Sequence, residues 1–298
     1  MPLNYKSLLI ALAAFLWATD TLLRQPLSRQ LNATTIVLLE HLVALVVVVP
    51  LLIKYWPDIK KINTREWLGL LFIGIAASAL ATIAFTASFK YVSPSVSILL
   101  QKIQPLVTFL LAAWLLRESL PRRFWWYAGL ALGGGYLISF PEVWPRLELY
   151  KNGAVGVSLA LVAAALWGSA TVVGRGLLKR LPPPLLAALR FAVAIPFLIV
   201  LWLSSGAAAT EAASLTWRQL LSIMIIMIGP GFGAMYIYYK GLAVTRASVS
   251  ALLELTWPLS AVVLNWIFLH EVLSLVQIMG AVILLYAVTR LSLWSQPS

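Results

Sequence analysis

Ten predominantly apolar stretches, each about as long as a bilayer core is thick, follow one another along the chain with only brief polar connections between them. A hydrocarbon layer about 30 Å across needs roughly 20 residues of α-helix at 1.5 Å rise per residue. Inside lipid the backbone N–H and C=O groups must be satisfied within the segment, so an isolated run of this kind becomes a helix. The windows are approximately 7–23, 34–53, 67–89, 96–116, 124–140, 154–173, 185–203, 220–242, 249–269 and 273–289, the fifth and tenth being the shortest. A water-soluble fold is excluded by charge. Of 298 residues 61% are hydrophobic and 11% charged, where an ordinary soluble domain carries about 25% charged residues. The expectation is an all-α integral membrane protein with ten transmembrane helices. The first window contains Asp20 and has a counterpart later in the chain, which argues for a spanning helix over a cleaved leader. Pro57 to Arg65 and Glu142 to Asn152 read as surface loops.

That counterpart belongs to an internal repeat. Ala11 to Leu31 matches Leu161 to Leu181 at an offset of 150, pairing Trp17 with Trp167 and Thr21 with Thr171. Ser93 to Leu120 aligns without gaps to Arg246 to Leu273 at an offset of 153, with 11 identities in 28 positions. Apolar composition explains the shared leucines, but not Pro105 in register with Pro258 or Glu118 with Glu271. The division expected is residues 1–145 and 146–298, five helices each. Five is odd, so the second half enters the membrane from the side opposite to the first, and the repeat is inverted around a central cavity. With both termini cytoplasmic, 13 Lys and Arg fall inside, 6 outside (Arg24 among them) and 3 within windows, the bias expected of cytoplasmic loops.

The net charge of +12 sits in short clusters between the apolar runs, as at Lys54 to Arg65 and Arg117 to Arg123. This placement suits anionic lipid headgroups, not nucleic acid. Cysteine is absent and the two histidines, His41 and His270, are far apart, so no metal or cofactor is expected. No Walker sequence, zinc signature or nucleophile elbow is present, which removes the usual basis for ATP-driven transport or hydrolysis.

The chain resembles the drug/metabolite transporter superfamily, and within it the EamA-type members with two repeated domains. The likeness rests on Ala13-Ala14-Phe15-Leu16-Trp17 and its twin Ala163-Ala164-Ala165-Leu166-Trp167. It extends to Gln104-Pro105 with Arg117-Glu118, and to Trp257-Pro258 with His270-Glu271-Val272-Leu273 and Gln277-Ile278-Met279-Gly280. The resemblance implies a cavity formed by the first four helices of each half, with the fifth and tenth outside. It also implies secondary transport of a small metabolite, commonly export of an amino acid, amine or drug-like compound. Where many relatives have Leu-Arg in the second helix, as Leu189-Arg190 stands in the seventh here, this chain has Glu40-His41.

Ionisable and polar residues within such windows are costly and normally face a cavity or a partner. Ser97, Gln101, Gln104 and Thr108 share one helical face by spacing, and Ser250, Glu254, Trp257 and Ala261 form the repeat-related face. Pro105 and Pro258 supply no N–H, so each is expected to open the carbonyl four residues earlier, that of Gln101 or Glu254. Either these openings bind a cation or proton-carrying group, or the prolines only kink helices. Glu254, deep in its window, is the candidate for proton coupling. Trp17, Asp20 and Arg24 share a face; Asp20 and Arg24 either pair with each other or serve the pathway. Trp17 and Trp167 either pack or present aromatic faces to cargo. Glu40 and His41 point about 100° apart, so no more than one is expected to face the pathway fully. Arg190 either receives a substrate carboxylate or neutralises Glu40, Asp20 or Glu254, the internal pair being favoured. Tyr239 is expected to hydrogen-bond cargo and Lys240 to reach the surface. Lys102 is assigned no role. A lipid or nucleotide-sugar carrier is the alternative within transport, requiring Arg190, Arg24 and Lys102 to line the cavity. A membrane enzyme would require Asp20, Glu40 and His41 to converge within hydrogen-bond reach.

Overall fold

The computed structural model describes residues 6–92, 94–138, 153–206, 211, 214–269 and 274–294, and among these it contains helix and turn but no strand. In chain order the helices are α1 (Leu8–Ser28), α2 (Ala33–Lys54), α3 (Thr64–Ser88), α4 (Pro94–Leu100 continuing through Gln101–Ile103 into Gln104–Leu115) and α5 (Arg122–Ile138). They continue as α6 (Gly153–Leu177), α7 (Pro183–Ser204), α8 (Trp217–Leu242), α9 (Ala247–Leu253 then Thr256–Leu269) and α10 (Leu275–Trp294). Seven of these, α1 to α4 and α6 to α8, are long and apolar enough to cross a membrane. Helix α5 has 17 residues, α9 is broken at Glu254–Leu255, and the apolar part of α10 is the shorter Leu275–Arg290. Large apolar side chains such as Val46, Ile53, Leu110 and Trp114 are more than two-thirds exposed, a surface that only lipid would cover favourably. The chain is an integral multi-pass membrane protein.

Several expected boundaries shift for visible reasons. The first helix runs past Leu23 to Ser28 because Arg24 is buried, not at the surface. Pro57 to Arg65 is not all loop: Trp56–Ile59 forms a helical turn, and the last residues lead into α3. There the Asn63 side chain accepts from the Glu66 N–H while Glu66 accepts from the Asn63 N–H, a capping box that satisfies two otherwise orphaned donors. Thr216 and Gln219 build the same box at the start of α8. The Glu142 to Asn152 loop and the His270-Glu271-Val272-Leu273 motif lie outside the described residues.

The helix interiors carry matched irregularities. Helix α3 widens into a π segment at Phe72–Leu80 and α8 at Met227–Gly233. In α8 the widening accommodates Pro230, which offers no N–H to the ladder. Helix α2 packs along α7, α5 along α10, α1 against α8 and α9, and α6 against α3 and α4. At the α5–α10 contact a Cβ on Gly134 would lie 2.8 Å from the Leu284 nitrogen and 2.9 Å from the Gly280 oxygen, so only glycine permits this approach.

Candidate functional site

Helices α1 to α4 and α6 to α9 surround a cavity of about 1300 Å³, counted out to its open side, and α5 and α10 contribute none of its described lining. Trp17, Asp20, Glu40, His41, Gln101, Gln104, Pro105, Trp167, Arg190, Glu254, Trp257 and Pro258 all line it.

Arg24 organises the α1–α2 wall. Its Nε donates to Asp20 Oδ2 at 2.6 Å, one Nη lies 2.8 Å from Glu40 Oε1, and the other donates to Thr86 Oγ1 at 3.1 Å. Two carboxylates on one buried guanidinium leave this wall with a net negative charge when both are ionised. The assignment of Arg24 to an outer loop is thereby corrected: Asp20 one turn earlier and Glu40 on the next helix hold it inside. His41 Nδ1 lies 2.7 Å from the Val37 carbonyl, and its ring packs 5.0 Å from that of Phe191. Both Glu40 and His41 line the cavity. Among the described residues no hydrogen bond joins Asp20, Glu40 and His41 to one another; Asp20 and Glu40 both engage Arg24, and His41 engages the Val37 carbonyl.

On α9, Glu254 accepts from Tyr238 Oη at 2.7 Å and from Gln104 Nε2 at 2.7 Å. Tyr238 Oη is in turn 2.9 Å from Thr171 Oγ1, a hydroxyl relay across α6, α8 and α9. Tyr238, not Tyr239, is the tyrosine at the cavity. Tyr239 is fully buried outside the lining and accepts from Arg190 at 3.1 Å. Arg190 also donates to Ser78 Oγ at 2.6 Å and approaches Met235 Sδ at 3.5 Å, and among the described residues no carboxylate lies within ion-pair distance. The expected internal ion pair is therefore replaced by neutral partners.

The polar stripe on α4 is split. Gln101 and Gln104 face the cavity, whereas Ser97 is buried against Ser88 Oγ at 2.7 Å, and Thr108 donates to the carbonyls of Gln104 and Gly168, both at 3.1 Å. The cause is the tight turn Gln101–Ile103, which turns about 120° per residue where a helix turns about 100°. The same tightening fills the carbonyls that the prolines were expected to open. Gln101 O accepts from the Gln104 N–H, and Glu254 O from the Trp257 N–H at 2.9 Å. Lys102, given no role from spacing, lines the cavity and donates to the Gly135 carbonyl of α5. Lys240 is exposed, over the Tyr236 ring.

Aromatic rings form the remaining walls. Trp17 packs on Tyr238 with centroids 5.2 Å apart, and Trp167 on Phe85 at 5.3 Å; Phe85 also meets Trp257 at 5.8 Å. Trp167 Nε1 donates at 2.8 Å to the Ala77 carbonyl in the π segment of α3. Sequence spacing missed Tyr238, Thr171, Ser78 and Phe85. The available signal was that Tyr238 and Phe85 are related by the offset of 153.

At the α4–α6 crossing a Cβ on Gly168 would stand 2.8 Å from the Gln104 carbonyl oxygen and 3.2 Å from Thr108 Oγ1. Gly168→Val is expected to push α4 away, break the Thr108 bond and displace Gln104 from Glu254, costing about 1–3 kcal/mol. Thermal unfolding in detergent checks this; an unchanged midpoint would show that the crossing is not tightly packed.

A family model described as the EamA-like transporter family matches residues 5–140 and again 154–293. The riboflavin transporter ImpX of Fusobacterium nucleatum is 32% identical over 294 residues, covering 96% of this chain and 97% of that protein. The uncharacterized transporter YwfM of Bacillus subtilis is 26% identical over 275 residues, 91% and 88% of the two chains. A crystal structure with 17% identity superposes over 97% of both chains with a TM-score of 0.72, a likeness of fold alone.

Proposed function

The chain belongs to the EamA-like transporter family, and on that premise we propose that it is a secondary transporter which carries a small aromatic metabolite through the central cavity by alternating access. The observation that carries this reading is the cavity itself, bounded by helices from both halves and lined by aromatic rings and polar groups buried away from the lipid-facing surface. In this reading ten helices cross the bilayer as two inverted halves, 1–145 and 146–298, with both termini in the cytoplasm of a bacterial cell. The helix pairings support it, because exchanging the halves turns the α1–α8 contact into α6–α3 and α4–α6 into α9–α1. The matched capping boxes and matched π segments support it too.

A flavin is the first cargo to test, because a relative covered almost end to end is named a riboflavin transporter. The Trp17, Trp167 and Trp257 rings suit a flat conjugated ligand. Export in exchange for a proton carried by Glu254 completes the cycle. The test is counterflow in proteoliposomes: liposomes preloaded with unlabelled riboflavin should take up labelled riboflavin faster than protein-free liposomes, and equal rates would remove the flavin assignment.

One observation favours a second reading, a phosphorylated cargo. Arg24, Lys102 and Arg190 all line the cavity. Arg24 is committed to two carboxylates and Lys102 donates to a carbonyl, which leaves Arg190 to meet an anion. Competition of counterflow by a nucleotide sugar, and not by riboflavin, would favour this reading.

A further inference from the structure

The cavity holds side-chain atoms that the fold leaves without a hydrogen-bond partner among the described residues: Asp20 Oδ1, His41 Nε2, Gln101 Oε1 and Trp257 Nε1. Glu40 Oε1 is not of this kind, because it lies 2.8 Å from Arg24. Buried polar atoms are costly when unmet, so a ligand or water must meet these four.

Their chemical sense can be read atom by atom. Gln101 Nε2 donates to the Ala160 carbonyl at 3.0 Å, which fixes the amide with its oxygen as the unused acceptor. His41 Nδ1 lies 2.7 Å from the Val37 carbonyl and must carry the proton, so in the neutral ring Nε2 presents a lone pair. Asp20 Oδ2 is taken by Arg24 at 2.6 Å, which leaves Oδ1 as an acceptor. Trp257 Nε1 offers a donor only. Acceptors therefore outnumber donors among the unmet atoms.

Resting on the transport reading above, we infer that the cargo is a net hydrogen-bond donor: a flat aromatic ring bearing several hydroxyl or N–H groups. Gln101, Asp20 and His41 receive those protons, and the Trp257 indole N–H engages an acceptor on the same ligand. A donor-poor aromatic of the same shape would bury the acceptors unmet. Each unmet buried group costs about 1–3 kcal/mol, so one missing contact alone corresponds to about a tenfold loss of affinity.

The experiment measures binding to the purified, intact wild-type protein by quenching of tryptophan fluorescence, with two matched pairs of probes. The first pair is riboflavin and lumiflavin, which has a methyl group in place of the hydroxylated side chain. The second is adenosine and adenine bearing a methyl group in place of the ribose. The hydroxylated member of at least one pair is expected to bind at least about tenfold more tightly than its partner, and Gln101→Leu, with its melting profile checked, to narrow that ratio. Discrimination by the adenosine pair with no binding of either flavin would sink the flavin assignment and leave the donor inference standing. Equal binding within every pair that binds, a preference for the methylated member, or no binding of any of the four probes would overturn the inference.

Discussion

Arg24→Met is expected to destabilise the folded protein by about 3–5 kcal/mol, because it strips the counter-charge from two buried carboxylates at once. Asp20 and Glu40 come from different helices and both meet this guanidinium, at 2.6 and 2.8 Å. Without it their mutual repulsion and desolvation have nothing to oppose them, and Thr86 loses its donor as well. Adding Asp20→Asn and Glu40→Gln to Arg24→Met should recover most of the loss, since a neutral cluster carries no uncompensated charge. Unfolding of the three forms in the same detergent distinguishes charge from packing. A single variant within about 1 kcal/mol of the wild type would mean that the ion-pair cluster does not hold α1 to α2.

Glu254→Gln is expected to separate exchange from coupled transport. The glutamine keeps an acceptor for Tyr238 and occupies nearly the same volume, so the cavity and its aromatic walls should survive. It cannot release and rebind a proton in the way a carboxylate does. With the proton moving inward as cargo moves outward, a pH gradient across proteoliposomes should drive accumulation on the acidic side in the wild type. The variant should lose that accumulation by at least about tenfold while retaining counterflow, because a carrier whose coupling carboxylate can no longer titrate gains nothing from the gradient. Gradient-driven accumulation that survives in Glu254→Gln would place proton coupling elsewhere or remove it.

Much of the architecture was legible because lipid enforces it. An apolar run of bilayer length has few conformational options, and a repeat that keeps Pro105 in register with Pro258 identified Gln101 and Glu254, both of which line the cavity. The misreadings have local causes. Arg24 lies near the end of an apolar run, where a basic residue normally reaches for the surface; only the fold brings Glu40 beside it. Adjacent tyrosines differ by about 100° around a helix. The π segment at Met227–Gly233 changes the rotation of all that follows, so the sequence could not tell which of the two faces inward; Tyr239 was expected at the cargo, and Tyr238 lines the cavity. The carbonyls ahead of the prolines were expected to stay open on the assumption of uniform helix. Tight turns at Gln101–Ile103 and Glu254–Leu255 use them instead. Partners of Arg190 on α3 and α8 could not be derived from α7 alone.

Two links join the stretches 5–140 and 154–293 that the family model matches, and in the proposed two-half reading they stand at equivalent positions. Arg180 donates to Glu66 at 2.9 Å where α6 ends and α3 begins, and Gln219 donates to Gln30 at 2.9 Å where α8 begins and α1 ends. Transport by alternating access requires these two ends of the cavity to part in turn. The chain has no cysteine, so paired spin labels can be introduced without background at Arg29 and Arg218 for one end and at Arg65 and Lys179 for the other, all four exposed. Distances measured by pulsed electron resonance in lipid, with and without cargo that supports counterflow, should change in opposite directions at the two ends. Distances that stay fixed, or that lengthen together, while the labelled protein continues to exchange cargo would contradict a cavity opened alternately by its two halves.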